Sequence, residues 1–148
     1  ARGYDLQLVI FGEKLEDPQP LFDAAGFNFE YHYRPAGEQL RKIYTSCDIF
    51  LCSSWYEGLG LTAMEAMACR CSLVTTDTGG CLEYAIDGKT ALVSASRDIS
   101  GLSQNLIRLL EDEALLESLS EHGYDKVNEY NWEESCDQLI GFFNESLA

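Results

Sequence analysis

Short unbroken apolar runs alternate along this chain with stretches where apolar residues recur every three or four positions, the periods of strand and helix. Leu6-Gln7-Leu8-Val9-Ile10-Phe11 is mostly apolar and ends at Gly12, which predicts a buried parallel strand. Asp17-Pro18 to Ala25 reads as a short helix closed by Gly26, and Phe27-Asn28-Phe29-Glu30-Tyr31 alternates as a second strand. Leu40, Ile43 and Tyr44 fall at helical spacing between Gly37 and Ser46. Asp48 to Cys52 predicts a third strand, running into a loop from Ser53 to Gly60 and a helix of small residues from Leu61 to Cys69. Ser72-Leu73-Val74-Thr75-Thr76 is a fourth strand, ending at Asp77-Thr78-Gly79-Gly80. A short helix to Ile86, the turn Asp87-Gly88 and a fifth strand at Ala91-Leu92-Val93 follow. The remainder reads as helix: Asp98 to Glu111 with Leu102, Leu106, Leu109 and Leu110 on one face, then Glu113 to Tyr130. Asn131-Trp132-Glu133-Glu134 has the form of a capping box opening a last helix to Leu147.

Strands joined by helical crossovers predict an α/β domain, residues 1–148, built on a doubly wound, Rossmann-like parallel sheet. Ligands of such sheets gather at the carboxyl ends of the strands. Two loops are rich enough for that role, Ser53 to Thr62 and Asp77 to Glu83, and because they follow successive strands they are expected to be neighbours.

Length and charge narrow the function classes. A chain of 148 residues buries enough surface for a real core. The net charge of −15 makes contact with a polyanion repulsive over most of the surface. Nucleic acid is therefore not an expected partner, nor is direct contact with an anionic membrane. Most of the acids after Glu111 lie on helix-like stretches, as a solvated helical surface requires. The six cysteines form no C-x-x-C pair, and His32 and His122 lie in unrelated segments, so the expectation is buried thiols with no metal. No apolar run reaches membrane-spanning length, and the chain reads as cytoplasmic.

The candidate chemistry lies in Glu57-Gly58-Leu59-Gly60-Leu61-Thr62-Ala63-Met64-Glu65. One carboxylate sits in a glycine-hinged loop and a second is expected in the first turn of the following helix. The first amides of that helix lack intrahelical partners and carry the positive end of its dipole, so a diphosphate oxygen would dock there. Gly58 and Gly60 let backbone pass close to a ligand. Glu65 has two readings: it closes a capping box on Thr62, or it accepts hydrogen bonds from a ribose diol. Glu57 is either an exposed loop acid or a carboxylate partly desolvated beside Trp55-Tyr56. Gly79-Gly80 is either a tight strand-to-helix turn or a second patch of accessible amides, with Glu83 and Tyr84 behind it.

Three segments in order carry a resemblance: Ser54-x-x-Glu57-Gly58-Leu59-Gly60-Leu61, then Glu65-Ala66-Met67-Ala68-Cys69, then Thr76-Asp77-x-Gly79-Gly80-x-x-Glu83. Asp87-Gly88-Lys89-Thr90-Ala91-Leu92-Val93 and Trp132 extend it, so that it runs from about Leu8 to the C-terminus. The chain resembles the carboxyl-terminal domain of GT-B glycosyltransferases, and within them the retaining group 1 enzymes, also called glycosyltransferase family 4. The resemblance implies a domain that binds a nucleotide-diphosphate sugar, with Glu57 and Glu65 as the two acids of an E-x7-E motif. Glu57 would face the transferred sugar and support its oxocarbenium-like transition state, and Glu65 would bond the ribose hydroxyls. Ser54, Gly58, Leu59, Gly60, Leu61, Thr62, Gly79 and Gly80 complete the expected donor site, Tyr31 to Arg34 would border the base, and no metal or other cofactor is implied.

The chain also departs from the family pattern. Arg70 and Ser72 stand where the family usually has Gly and Pro, Thr62 replaces a frequent Pro, and no glycine follows the second strand near His32 and Tyr33. Family members begin this domain with a further strand and helix, which supply a basic diphosphate clamp. They also carry an amino-terminal domain that binds the acceptor and provides any membrane association. The expectation is thus a fragment lacking its first strand–helix unit, inactive alone, from an enzyme transferring a hexose to a glycan or lipid-linked acceptor. The alternatives are a non-catalytic nucleotide-sugar-binding or interaction domain of the same fold, and a sugar-nucleotide epimerase.

Overall fold

We describe a computed structural model of the chain over residues 4–13, 26 and 28–147. The helix expected from Asp17 to Ala25, and Phe27 at the start of the second expected strand, lie outside the described residues. The chain divides into two units, Ala1–Cys47 and Asp48–Ala148.

In the first unit, β1 (Leu8–Gly12) pairs in parallel with β2 (Phe29–Tyr33), Leu8 opposite Phe29 and Gly12 opposite Tyr33. Helix α1 (Glu38–Thr45) buries Ile43 and Tyr44, and Phe11 meets the Tyr44 ring edge-on with centroids 5.5 Å apart. After β2 the chain bends through Arg34 at φ 45°, whose amide donates to the Gly12 carbonyl at 2.9 Å. A non-glycine residue thus adopts the left-handed bend for which the sequence leads one to seek a glycine. Tyr31 turns its hydroxyl back to the carbonyls of Gly12 and Glu13, at 3.1 and 2.9 Å.

The second unit is a parallel ladder of β3 (Ile49–Cys52), β4 (Ser72–Thr76) and β5 (Ala91–Ser94), with β4 central and buried along its whole length. Helix α2 (Leu61–Ala68) connects β3 to β4, and a single 3-10 turn (Gly80–Glu83) stands where the short helix before β5 is expected. Helices α3 (Ile99–Glu111), α4 (Glu113–Val127) and α5 (Trp132–Ser146) follow. Successive residues of β4 point to opposite faces, so Leu73 joins Ala63, Met67, Tyr84 and Val127 while Val74 joins Leu92, Leu109 and Leu119. Apolar side chains cover both faces, which is why β4 reads as a continuous run rather than an alternation. Among the described residues, hydrogen bonding forms a parallel ladder in each unit. The α/β class, with parallel strands and helical crossovers, is as expected.

Local chemistry sets the helix boundaries. Asp98, Asp112 and Asn131 each accept a hydrogen bond from an amide three residues on, at 2.9, 2.9 and 2.7 Å, capping α3, α4 and α5. At Asn131 the expected cap forms, but its side-chain Nδ2 rather than its backbone N–H donates to the Glu134 carboxylate, at 3.2 Å, so only half of the capping box is present. Helix α5 buries none of its residues, and Trp132, Leu139, Ile140, Phe142 and Phe143 are exposed along it.

The two departures at the α2–β4 junction have physical compensation. Arg70 is left-handed at φ 67°, but its guanidinium stacks 4.1 Å from the centre of the Tyr124 ring and its carbonyl accepts from Ser120 at 2.7 Å. Ser72 donates its amide to Asp48 at 2.8 Å and its hydroxyl to the Leu116 carbonyl at 2.6 Å, two bonds that a proline would forgo.

One contact fixes the loops that follow β3 and β4. A Cβ built on Gly80 would lie 2.1 Å from the Gly58 carbonyl oxygen and 3.2 Å from the Leu59 Cα, backbone atoms that have no side-chain freedom to yield. Gly80→Ala is therefore expected to cost about 1–3 kcal/mol by forcing the loops apart. Gly58→Ala, whose Cβ meets nothing within 4 Å, should stay within about 0.5 kcal/mol of wild type. Urea denaturation of the two variants provides the comparison, and equal losses would contradict the interlock.

Candidate functional site: a glycine-hinged loop at the carboxyl ends of two strands

Because β3 and β4 are parallel neighbours, their following loops leave the ladder on the same side. Three links join them. Thr76 donates its hydroxyl to the Ser54 carbonyl, the Glu57 amide donates to the Thr78 carbonyl at 3.3 Å, and Gly80 packs on Gly58. The loop after β5 adds a clip: the Ser96 hydroxyl donates to the Trp55 carbonyl at 2.9 Å, and the Arg97 guanidinium lies 4.6 Å from the centre of the Trp55 indole. The expectation that the two loops are neighbours holds.

Glu57 is half-buried within this arrangement. One carboxylate oxygen accepts from the Ser54 hydroxyl, and the other lies 3.3 Å from where a Cβ on Gly60 would stand. Gly60 is left-handed, at φ 79° and ψ 55°, and caps α2 with no side-chain hydrogen bond. Its carbonyl accepts from the amides of Ala63 and Met64, at 3.0 and 3.4 Å, and from the Tyr84 hydroxyl at 3.1 Å. Burial pushes the Tyr84 phenol well above its ordinary range, and Cys81, Cys52 and Glu57 push in the same direction.

The amides of Gly58, Leu59, Gly60, Leu61 and Thr62 have no hydrogen-bond acceptor among the described residues. Residues 58, 59, 61 and 62 are exposed and Gly60 is half-buried, so this amide run faces open surface. At Thr62 the sequence keeps an N–H that a proline would lack. A run of unpaired amides at the positive end of a helix is suited to an anion.

The second acid stands differently from expectation. The cap of α2 is Gly60 rather than Thr62, so the expected Thr62–Glu65 capping box does not form and Glu65 is the fifth residue of the helix, past its first turn. Ala63, Ala66 and Met67 form the buried face. Glu65 is exposed, as are Leu61 and Thr62, which share its side of the helix by the three- and four-residue spacing. Side chains on a helix lean toward its N-terminus, which for Glu65 is the amide end.

At the second glycine pair, Gly79 donates its amide to the Asp77 carboxylate at 2.9 Å, and the parallel bridge between Glu57 and Gly79 engages the Gly80 amide, so neither of the two stands as an open amide. Sequence reasoning passes over Ser96 and Arg97, which no short motif marks, and quotes Thr76 within a motif without giving it a role. The three tie the loop through its backbone or through stacking. No disulfide joins any of the six cysteines. Among the described residues, no group of three or more His, Cys, Asp or Glu side chains is placed to hold a metal, and no helix is long and apolar enough to cross a membrane.

Comparisons with known proteins give the chain its kinship. A D-inositol 3-phosphate glycosyltransferase from Corynebacterium jeikeium is 32% identical over 138 residues, which cover 90% of this chain and 32% of that protein. The C-terminal domain of a glycosyl transferase group 1 family protein from Francisella tularensis superposes with a TM-score of 0.67 at 26% identity, covering 75% of this chain and 58% of that one. Sucrose-phosphate synthase from Thermosynechococcus elongatus gives a TM-score of 0.82 at 25% identity over 95% of this chain and 38% of that one. The chain spans between 25% and 40% of the length of the curated relatives it matches. The family described as "Glycosyl transferases group 1" matches residues 1–126, and the chain belongs to it.

Proposed function

We propose that this chain is the donor-binding domain of a retaining glycosyltransferase, moving a hexose from a nucleotide-diphosphate sugar to a glycan or lipid-linked acceptor. The observation that carries the reading is the placement of Glu57 beneath a glycine turn that also begins a run of five unpaired amides. Glycosyl transfer builds positive charge on the sugar ring and negative charge on the departing diphosphate. A carboxylate beside the ring and fixed amides beside the phosphates favour that separation more strongly in the transition state than in the bound donor. With a formal charge of −15 on the chain, local backbone dipoles rather than net charge must attract the diphosphate.

In this reading Glu57 faces the sugar, held by Ser54. The amides of Gly58, Leu59, Gly60, Leu61 and Thr62 take the phosphates, Glu65 takes the ribose hydroxyls, and Gly79-Gly80 shapes the floor. The acceptor belongs to a separate amino-terminal domain, which also provides any membrane association, and the protein works in the cytoplasm. The chain alone turns over no donor.

Steady-state kinetics of a complete two-domain enzyme test the division of labour. Glu57→Gln should lower kcat by about 10²–10³-fold with little change in donor KM. Glu65→Ala should raise donor KM by about tenfold with kcat nearly unchanged, the loss of a charged hydrogen-bonding partner. Equal effects on both parameters in both variants would contradict these roles. Since amides carry the phosphate charge in this reading, calorimetric titration with UDP or GDP should give the same affinity with and without EDTA. A loss of binding in the chelator would count against it.

A further inference from the structure

Tyr84 lies directly behind the glycine turn, and no sequence motif gives it a role. Its side chain is fully buried in the cluster formed by Ala63, Met67, Leu73 and Cys81. Its hydroxyl reaches the Gly60 carbonyl, 24 residues earlier, at 3.1 Å. Burial, followed by the nearby Cys81, Cys52 and Glu57, holds the phenol protonated well above its ordinary range, so it remains a donor. The same oxygen lies 2.8 Å from where a Cβ on Gly60 would stand, so the turn and the phenol fit only with glycine there.

The tyrosine is itself tied down. Thr90 donates its hydroxyl to the Tyr84 carbonyl at 2.6 Å and accepts from the Ile86 amide at 2.8 Å. The Tyr130 hydroxyl donates to the adjacent Glu83 carbonyl at 2.9 Å. A peptide unit is planar and trans, so its carbonyl and its N–H point in opposite directions. Drawing the Gly60 carbonyl inward toward Tyr84 therefore turns the Leu61 N–H outward, and that amide is one of the five with no acceptor among the described residues.

We propose that Tyr84 is a positioning residue: its hydroxyl sets the Gly60 turn, and through it the outward aim of the Leu61 amide toward the donor diphosphate above the Glu57 carboxylate. The link to a diphosphate rests on the donor-domain reading, whereas the setting of the turn does not. A ring that merely filled the core would serve as well without its oxygen.

Tyr84→Phe keeps the ring and removes only the hydroxyl, and two measurements on the 148-residue chain separate the roles. NMR relaxation should show order parameters of residues 58–62 falling from about 0.85 to below about 0.6, with those of β4 unchanged. Amide exchange of Ala63 and Met64, which donate to the Gly60 carbonyl, should quicken by about tenfold, the effect of losing one neutral hydrogen bond at that turn. Titration with UDP should give a Kd weakened by about five- to tenfold. Unchanged order parameters in the turn, or a uniform fall across the chain, would overturn the proposal. So would an unaltered Kd beside a mobile turn, or a variant without a cooperative melt, in which the hydroxyl would be holding the fold rather than the turn. If the wild-type chain binds no UDP, the donor-domain reading falls while the relaxation result still decides the role of Tyr84.

Discussion

The site depends on one backbone-to-backbone contact, that of Gly80 on the peptide between Gly58 and Leu59. Parallel pairing of β3 with β4 brings the two following loops to the same side of the ladder, but pairing alone leaves them free to splay. Glycine at 80 removes a Cβ that would meet the Gly58 carbonyl oxygen at 2.1 Å. The hydrogen bonds from Glu57 to Thr78 and from Thr76 to Ser54 then fix their registration. The Glu57 carboxylate then lies beside the turn at Gly60, whose carbonyl accepts from the Tyr84 hydroxyl.

This coupling places opposite electrostatic characters a few residues apart. Glu57 places a carboxylate beside the turn, and the amides that follow it lie at the positive end of a helix. A strongly acidic surface makes the second feature matter more, because no excess of basic side chains exists to attract an anion. Recognition by backbone groups also tolerates side-chain change. Leu61 and Thr62 contribute N–H groups whatever their side chains, proline excepted.

Much of this was legible in the sequence. The run Ser72 to Thr76 became β4 with the predicted bounds, and Asn131 capped the last helix as its spacing required. The neighbouring loops followed from strand order alone. What escaped were choices made by three-dimensional context. Thr62 and Glu65 have the spacing of a capping box, but spacing does not reveal which residue leaves helical geometry first. Gly60 does so in the left-handed region, and the cap passes to a residue without a side chain. The Gly79 amide looked available until Asp77, two residues earlier, closed a turn on it. Arg34 and Arg70 occupy backbone geometry that sequence rules reserve for glycine. At Arg70 the cost is offset by stacking on Tyr124, a contact between residues far apart in the chain. The reach of Tyr84 to Gly60 was equally invisible, because no periodicity encodes the target of a buried hydroxyl.

The central claim is that the Glu57–Thr62 turn receives the diphosphate of the donor. Titration of the isotopically labelled chain with UDP, followed by amide chemical shifts, tests it most directly. The account predicts saturable shifts concentrated at residues 58–62, with smaller ones at Gly80 and Glu65. Shifts confined to other surfaces, such as the exposed face of α5, or no saturable shifts at millimolar UDP, would contradict it.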